Sequence, residues 1–210
     1  MDGLLVDTEV HYRDGWIAGA KELGIDLDGS IVASWVGKGI TFTTDYLDEL
    51  TGSEEITNKI RENRERYFYQ QMETGKLHLK RGAKDLIVSL YENGYKLGLA
   101  TSTAEKRSID ILKHFDLYKY FTYKIFGDKV ENVKPYPDLY DNIIEQANME
   151  DRKKALVIED SLTGAKAAER AGINVLLIPD NSFHDDFFTD VPKNVLKQFK
   201  DLIEVKKYLL

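Results

Sequence analysis

Two adjacent carboxylates, Glu159 and Asp160, follow the apolar run Ala155-Leu156-Val157-Ile158. Side by side they repel unless a cation or a helix N-terminus lies close. Mg²⁺ would relieve the conflict, because it takes a few hard oxygen ligands and completes its shell with water and phosphate. Thr101 and Ser102 close another apolar run, Leu97 to Ala100, and lead into Thr103-Ala104-Glu105. Hydroxyls at a strand end, followed by the open amides of a helix start, bind phosphate. Lys134 precedes Pro135-Tyr136-Pro137-Asp138, and the two prolines stiffen that loop and fix where the ammonium points. A fixed cation suits a phosphoryl group. Each feature also has a plain structural reading. Ser102 with Glu105 matches the Ser-x-x-Glu capping box, Asp160 can cap a helix beginning at Leu162, and Lys134 can be solvated surface. Asp2-Gly3, taken alone, reads as a frayed end with no role.

The elements that must position these groups follow from periodicity. From Glu9 to Thr74 the pattern is helical with almost no strand signal: Trp16, Ala20 and Leu23 recur at three- and four-residue steps before Gly24. From Leu79 onward, short apolar runs alternate with helices of about ten residues, the mark of βαβ units on a parallel sheet. The helices are expected over 83–93, 104–114, 137–147, 162–171 and 195–209, and the strands over 95–100, 123–126, 155–158 and 175–178. The fold class is therefore α/β, with a doubly wound parallel sheet and an inserted all-helical domain. The boundaries predicted are 1–8 with 76–210 for the α/β core and 9–75 for the helical insert. An open parallel sheet places its ligand beyond the carboxyl ends of its strands, where Thr101, Lys134, Glu159 and Asp160 all fall.

Met1-Asp2-Gly3-Leu4-Leu5-Val6-Asp7-Thr8-Glu9, Lys134-Pro135-Tyr136-Pro137-Asp138 and Glu159-Asp160 together resemble the haloacid dehalogenase-like (HAD) phosphotransferase superfamily. Within it they are similar to the β-phosphoglucomutase and phosphoglycolate phosphatase subgroup. The resemblance covers essentially the whole chain and implies a Rossmann-like core with a helical cap. The family signature is Asp-x-Asp-Gly at the end of a strand, with Met1 here at x. The nucleophilic Asp and its strand would then lie before Met1. Two accounts of this start compete: an internal Met taken as the initiator, or a chain that has lost phosphotransfer. The persistence of Thr101, Lys134, Glu159 and Asp160 favours the first.

The resemblance also implies roles. Asp2 would be the general acid/base, its backbone carbonyl a metal ligand, while Glu159 and Asp160 would hold Mg²⁺. Thr101, Ser102 and Lys134 would bind the transferring phosphoryl group, and Lys134 would offset its charge during catalysis. In β-phosphoglucomutases a cap His stands ten positions after the acid/base Asp; the same count from Asp2 lands on Tyr12, with His11 adjacent. An Arg of their cap loop falls at Ile40, leaving Lys38 as the nearest cation. His11, Tyr12 and Lys38 are thus candidate substrate contacts in the cap. The two departures favour a phosphatase over a mutase.

Among 210 residues, 29 basic and 36 acidic side chains give a net charge of −7, which disfavours a nucleic-acid partner. The chain contains no cysteine, which excludes a disulfide framework and thiolate metal sites. No apolar run of about 18 residues occurs and the start is acidic, so no membrane span and a cytoplasmic location are expected. The expected partner is a small phosphorylated metabolite, with the chain a monomer or homodimer. The function expected is a Mg²⁺-dependent phosphatase of a small phosphate monoester, of the sugar phosphate class, working through an aspartyl-phosphate. The rival functions are a β-phosphoglucomutase-like mutase and a catalytically silent phosphate- or metal-binding protein.

Overall fold

The computed structural model describes residues 1–35, 40–180 and 187–210, without the side chains of Ile40 and Thr41. The chain divides into two compact units, one formed by Met1–Val6 with Leu79–Leu210 and the other by Asp7–His78.

The second unit is helical throughout its described residues: α1 (Glu9–Lys21), α2 (Gly29–Ala33), α3 (Ile40–Thr51) and α4 (Glu54–Glu73). Helices α1 and α4 pack at close range because Gly19 carries no side chain; a Cβ there would lie 2.8 Å from the Ile60 carbonyl oxygen. Asn63 uses that proximity, its Nδ2 donating to the Gly19 carbonyl at 3.1 Å. Trp16, Ala20, Leu27, Val32, Trp35, Leu47 and Ile60 form the core beneath. Each large side chain fully buried here contributes about 1.5–3 kcal/mol of transfer free energy.

The other unit alternates helix and strand: α5 (Ala83–Glu92), β1 (Leu97–Ala100), α6 (Glu105–His114), β2 (Phe121–Ile125), α7 (Asp138–Gln146), β3 (Leu156–Glu159), α8 (Leu162–Arg170), β4 (Asn174–Leu177), β5 (Val195–Gln198) and α9 (Leu202–Leu209). Every strand pair is parallel. The α/β class read from periodicity holds, and the pairing splits into a two-stranded sheet, β1-β2, and a three-stranded sheet, β3-β4-β5. Thr101 directly follows β1, and Glu159 is the last residue of β3. Gly172, at φ +70°, turns the chain from α8 into β4, a conformation that costs a glycine little. The small residues Ala165, Ala167, Ala168 and Ala171 of the α8 segment pack with Val175 and Leu177 of β4 in one buried cluster.

One expected element is corrected. Residues 195–209 do not form a single helix. Val195, Lys197 and Gln198 pair with Val175, Leu176 and Leu177 as β5, and a new helix begins only at Leu202. Asp201 sets that start, its carboxylate accepting from the amides of Ile203 and Glu204 at 3.0 Å each. Pairing with a buried neighbouring strand outweighs the helical spacing of 195–209, since local propensity is a weak prior against tertiary context.

No helix among the described residues is long and apolar enough to cross a membrane.

Candidate active site

Thr101 follows β1 directly and is buried, its amide donating to the Ile125 carbonyl at 3.3 Å. Its hydroxyl oxygen accepts from the Thr103 amide at 3.2 Å, so the loop turns tightly at the strand end. That turn aims Thr103 at Asp2: the Thr103 hydroxyl donates to Asp2 Oδ2 at 2.8 Å. Ser102 lies exposed beside them. Gly127 lets the loop after β2 lie against this turn, because a Cβ there would stand 2.0 Å from the Ser102 carbonyl oxygen. The capping box read at Ser102 and Glu105 does not form. Ala104 is the N-cap of α6 without a side-chain bond, and the Glu105 amide is instead met by Asp128 Oδ1 at 2.8 Å. A carboxylate from a neighbouring loop has taken over the cap, leaving the hydroxyls at 101–103 for other work.

Lys134 reaches across from the segment before α7 to the end of β3. Its Nζ donates to Glu159 Oε1 at 2.6 Å, with both side chains almost wholly buried. The Tyr140 hydroxyl donates to the same oxygen at 3.3 Å, and the Lys134 ammonium lies 5.1 Å from the Tyr140 ring centroid. Lys134 is therefore not a solvated surface lysine. Glu159 Oε2 accepts from the Asp160 amide at 2.7 Å. Room for this carboxylate comes from Gly164 in the first turn of α8, where a Cβ would fall only 1.5 Å from Glu159 Oε1.

Asp160 does not cap α8. Ser161 does, its hydroxyl accepting from the Gly164 amide at 3.0 Å. Asp160 instead faces Gly3: a Cβ on that residue would lie 2.3 Å from Asp160 Oδ2, and the backbone there sits at φ +71°. Asp2-Gly3 is thus part of the site rather than a frayed end, with Asp2 held by Thr103 and Gly3 against Asp160.

Charge follows from this packing. Burial, the largest influence, pushes the Glu159 carboxyl up, but the Lys134 ammonium, a hydrogen bond with Asp160 and the N-terminal ammonium together hold it down at about 2. Burial alone would lower Lys134, and Glu159 with Tyr140 reverse that and raise it. Tyr140 is raised chiefly by burial. Asp160 goes the other way from Glu159: burial, and then the charge of Glu159, push it well above the usual Asp range. An acid in that position ionises readily only with a cation beside it.

The remaining candidates lie in the helical unit. The Tyr12 ring stacks on Phe68 with centroids 5.2 Å apart, and the Arg64 guanidinium lies 5.5 Å from the Tyr12 ring and 4.5 Å from that of Trp16. His11 is partly exposed on the same helix, and Lys38 falls outside the described residues. Sequence reasoning passed over Thr103, Tyr140 and the pair Lys80–Asp180, whose Nζ and Oδ1 are 2.6 Å apart. Asp180 stands three residues beyond β4, so the strand-end rule that marked Glu159 could have marked it.

The donor set suits Mg²⁺. It consists of oxygens, the hard ligands that Mg²⁺ takes together with water and phosphate.

Thr101 and Glu159 stand at the carboxyl ends of parallel strands, where an α/β fold places its ligand. The chain belongs to the haloacid dehalogenase-like hydrolases, whose family model matches residues 1–178. A phosphorylated carbohydrates phosphatase from Thermotoga maritima is 30% identical over 189 residues, 88% of this chain and 85% of that protein. A phosphoglycolate phosphatase from Nitrosococcus oceani is 26% identical over 216 residues, 100% of this chain and 93% of that one. A crystal structure from Thermotoga maritima, provisionally named a β-phosphoglucomutase, superposes with a TM-score of 0.78 at 27% identity, covering 100% and 97% of the two chains.

Proposed function

We propose that the protein is a Mg²⁺-dependent phosphatase of small phosphate monoesters, of the sugar phosphate class, acting through an aspartyl-phosphate. The observation that carries this reading is the strand-end cluster in which Lys134, Glu159 and Asp160 adjoin Gly3 while Thr103 holds Asp2. The names of the phosphatase relatives from Thermotoga maritima and Nitrosococcus oceani agree with it.

In the family pattern Met1 is the x of Asp-x-Asp-Gly, so the nucleophilic carboxylate belongs to the position before Met1. Attack on phosphorus splits the transfer into two easier steps. Asp2, with its carboxylate set by Thr103, gives a proton to the leaving oxygen and then takes one from the attacking water. Thr101 and the amide of Ser102 hold the phosphoryl oxygens, and Lys134 offsets their charge, a preorganised electrostatic contribution. Glu159, Asp160 and the Asp2 carbonyl would hold Mg²⁺, which supplies Lewis-acid neutralisation of the phosphoryl oxygens. The helical unit would serve as the cap, with His11, Tyr12 and Lys38 as its candidate substrate contacts.

A second reading, a sugar-phosphate mutase, is favoured by the β-phosphoglucomutase name of the Thermotoga maritima structure. Tyr12 in place of a cap His and Ile40 in place of a cap Arg weigh against it.

The test is a panel of sugar phosphates with Mg²⁺, offered to the chain as printed and to the same chain preceded by an apolar strand ending in Asp directly before Met1. Phosphate release by the extended chain, lost on chelation and in Asp160→Ala or Lys134→Ala, is expected. Isomerisation primed by a bisphosphate would support the mutase instead. Inactivity of the extended chain on every substrate would sink both readings and leave a silent binding protein.

A further inference from the structure

Beyond Glu159 and Asp160, the loop after β4 brings another carboxylate to the same rim. Asp180 follows Ile178-Pro179, and its Oδ1 accepts from Lys80 Nζ at 2.6 Å, with the two side chains only 11% and 24% exposed. Lys80 is itself tied to the segment bearing Asp2 and Gly3, since its amide donates to the Leu5 carbonyl at 2.9 Å. The position a Cβ would take on Gly3 lies 2.3 Å from Asp160 Oδ2 and 2.9 Å from Asp180 Oδ2. Oxygens of two different carboxylates therefore crowd one point of backbone.

Such crowding is costly without positive charge nearby, and lysines supply some of it on either side. Lys134 is paired with Glu159 and Lys80 with Asp180, while Asp160 follows Glu159 in the chain and shares the Gly3 position with Asp180. Asp160 is the residue assigned to the cation. With its Oδ1 held by Lys80, Asp180 turns Oδ2 toward Gly3, where it can accept from the water of a cation held at Asp160 rather than ligate the cation itself. Mg²⁺ retains several waters when bound, and groups that hydrogen-bond its shell tune affinity.

We propose that Asp180 is an outer carboxylate of the cation site, accepting hydrogen bonds from water of a Mg²⁺ held at Asp160. The proposal rests on the reading of Glu159 and Asp160 as the cation's protein ligands. It adds a residue beyond the acidic pair at the end of β3, and it makes Lys80 a competitor for the negative charge that the cation would otherwise use.

Mg²⁺ alone is titrated into the full chain and followed by the amide NMR shifts of Gly3 and Asp160. Asp180→Asn, which keeps the shape, is expected to weaken Mg²⁺ binding about tenfold or more. Lys80→Met, which removes the competing ammonium, is expected to tighten it several-fold. Opposite signs in the two variants are the signature of a charge acting on the cation. Equal weakening in both marks a pair that merely holds the loop and overturns the proposal, as does unchanged binding in Asp180→Asn. Asp160→Asn separates the two levels. If it abolishes binding while Asp180→Asn leaves it intact, only the role of Asp180 falls; if it binds as the native chain does, or if the native chain binds no Mg²⁺, the metal reading falls and takes this proposal with it.

Discussion

Lys134–Glu159 and Lys119–Asp116 are ion pairs of similar length, 2.6 and 2.8 Å, in regions of opposite character. The first lies at the end of β3 with side chains 12% and 4% exposed; the second lies in the turn after α6 with side chains 58% and 63% exposed. Water screens the outer pair, so forming it changes the energy of the fold little. Around the inner pair burial removes most of that screening, and each charge depends on its partner. Burial is also what makes the inner region chemically useful, because it separates the tendencies of two adjacent acids, holding Glu159 ionised and driving Asp160 toward its protonated form.

The comparison breaks first at Lys134. Lys134→Met strands a buried carboxylate and should cost about 3–5 kcal/mol in denaturant unfolding, where an ordinary surface lysine would cost almost nothing. The pH dependence checks the cause. Glu159, lowered to about 2 from its ordinary 4.5, adds stability that is present above pH 4.5 and lost as pH falls toward 2. In Lys134→Met that contribution should vanish, flattening the acid limb of a stability–pH curve.

Gly164→Ala comes next, since its Cβ cannot share space with Glu159 Oε1. Overpacking of this kind costs about 1–3 kcal/mol, and here it should also displace Glu159 and reduce Mg²⁺ affinity, read by thermal unfolding and Mg²⁺ titration on one sample.

Asp160→Asn should change sign. With its folded acidity shifted upward, Asp160 supports the fold only while protonated, and its support drains away as pH rises above the usual Asp range. The amide ends that loss, so the metal-free variant should gain stability at neutral pH while losing cation binding, a stability–function trade. A lower melting temperature would show that the two carboxylates do not oppose each other.

At the small end, Thr103→Val in the extended active chain should lower kcat about tenfold with KM nearly unchanged, and Thr103→Ser should restore it. Lys119→Ala in the exposed turn should leave the melting temperature unchanged; a clear loss there would erase the contrast between the two regions.

Legibility in the sequence followed the same division. Glu159, Asp160, Thr101 and Lys134 could be found because parallel strands announce themselves as apolar runs and deliver their next residues to one rim. Which hydroxyl of Thr101, Ser102 and Thr103 turns toward Asp2 could not be read, since it depends on the turn closed by the Thr103 amide on the Thr101 hydroxyl. The Ser102–Glu105 spacing suggested a cap, and Asp128, distant in sequence, supplied the bond instead. Tyr140 falls within the helix expected over 137–147, and only the fold brings its hydroxyl to Glu159. The run 195–209 carried helical spacing in a segment whose first residues pair with β4.

By itself the sequence determined the class of chemistry and the alternation of elements. Residue types set what can ligate, donate or accept, and apolar spacing is a local property of the chain. Only the tertiary structure decided which charges are buried together, which hydroxyl reaches Asp2, and that Asp160 and Asp180 converge on Gly3. Those outcomes depend on distances between segments far apart in sequence, and on water being excluded from the space between them.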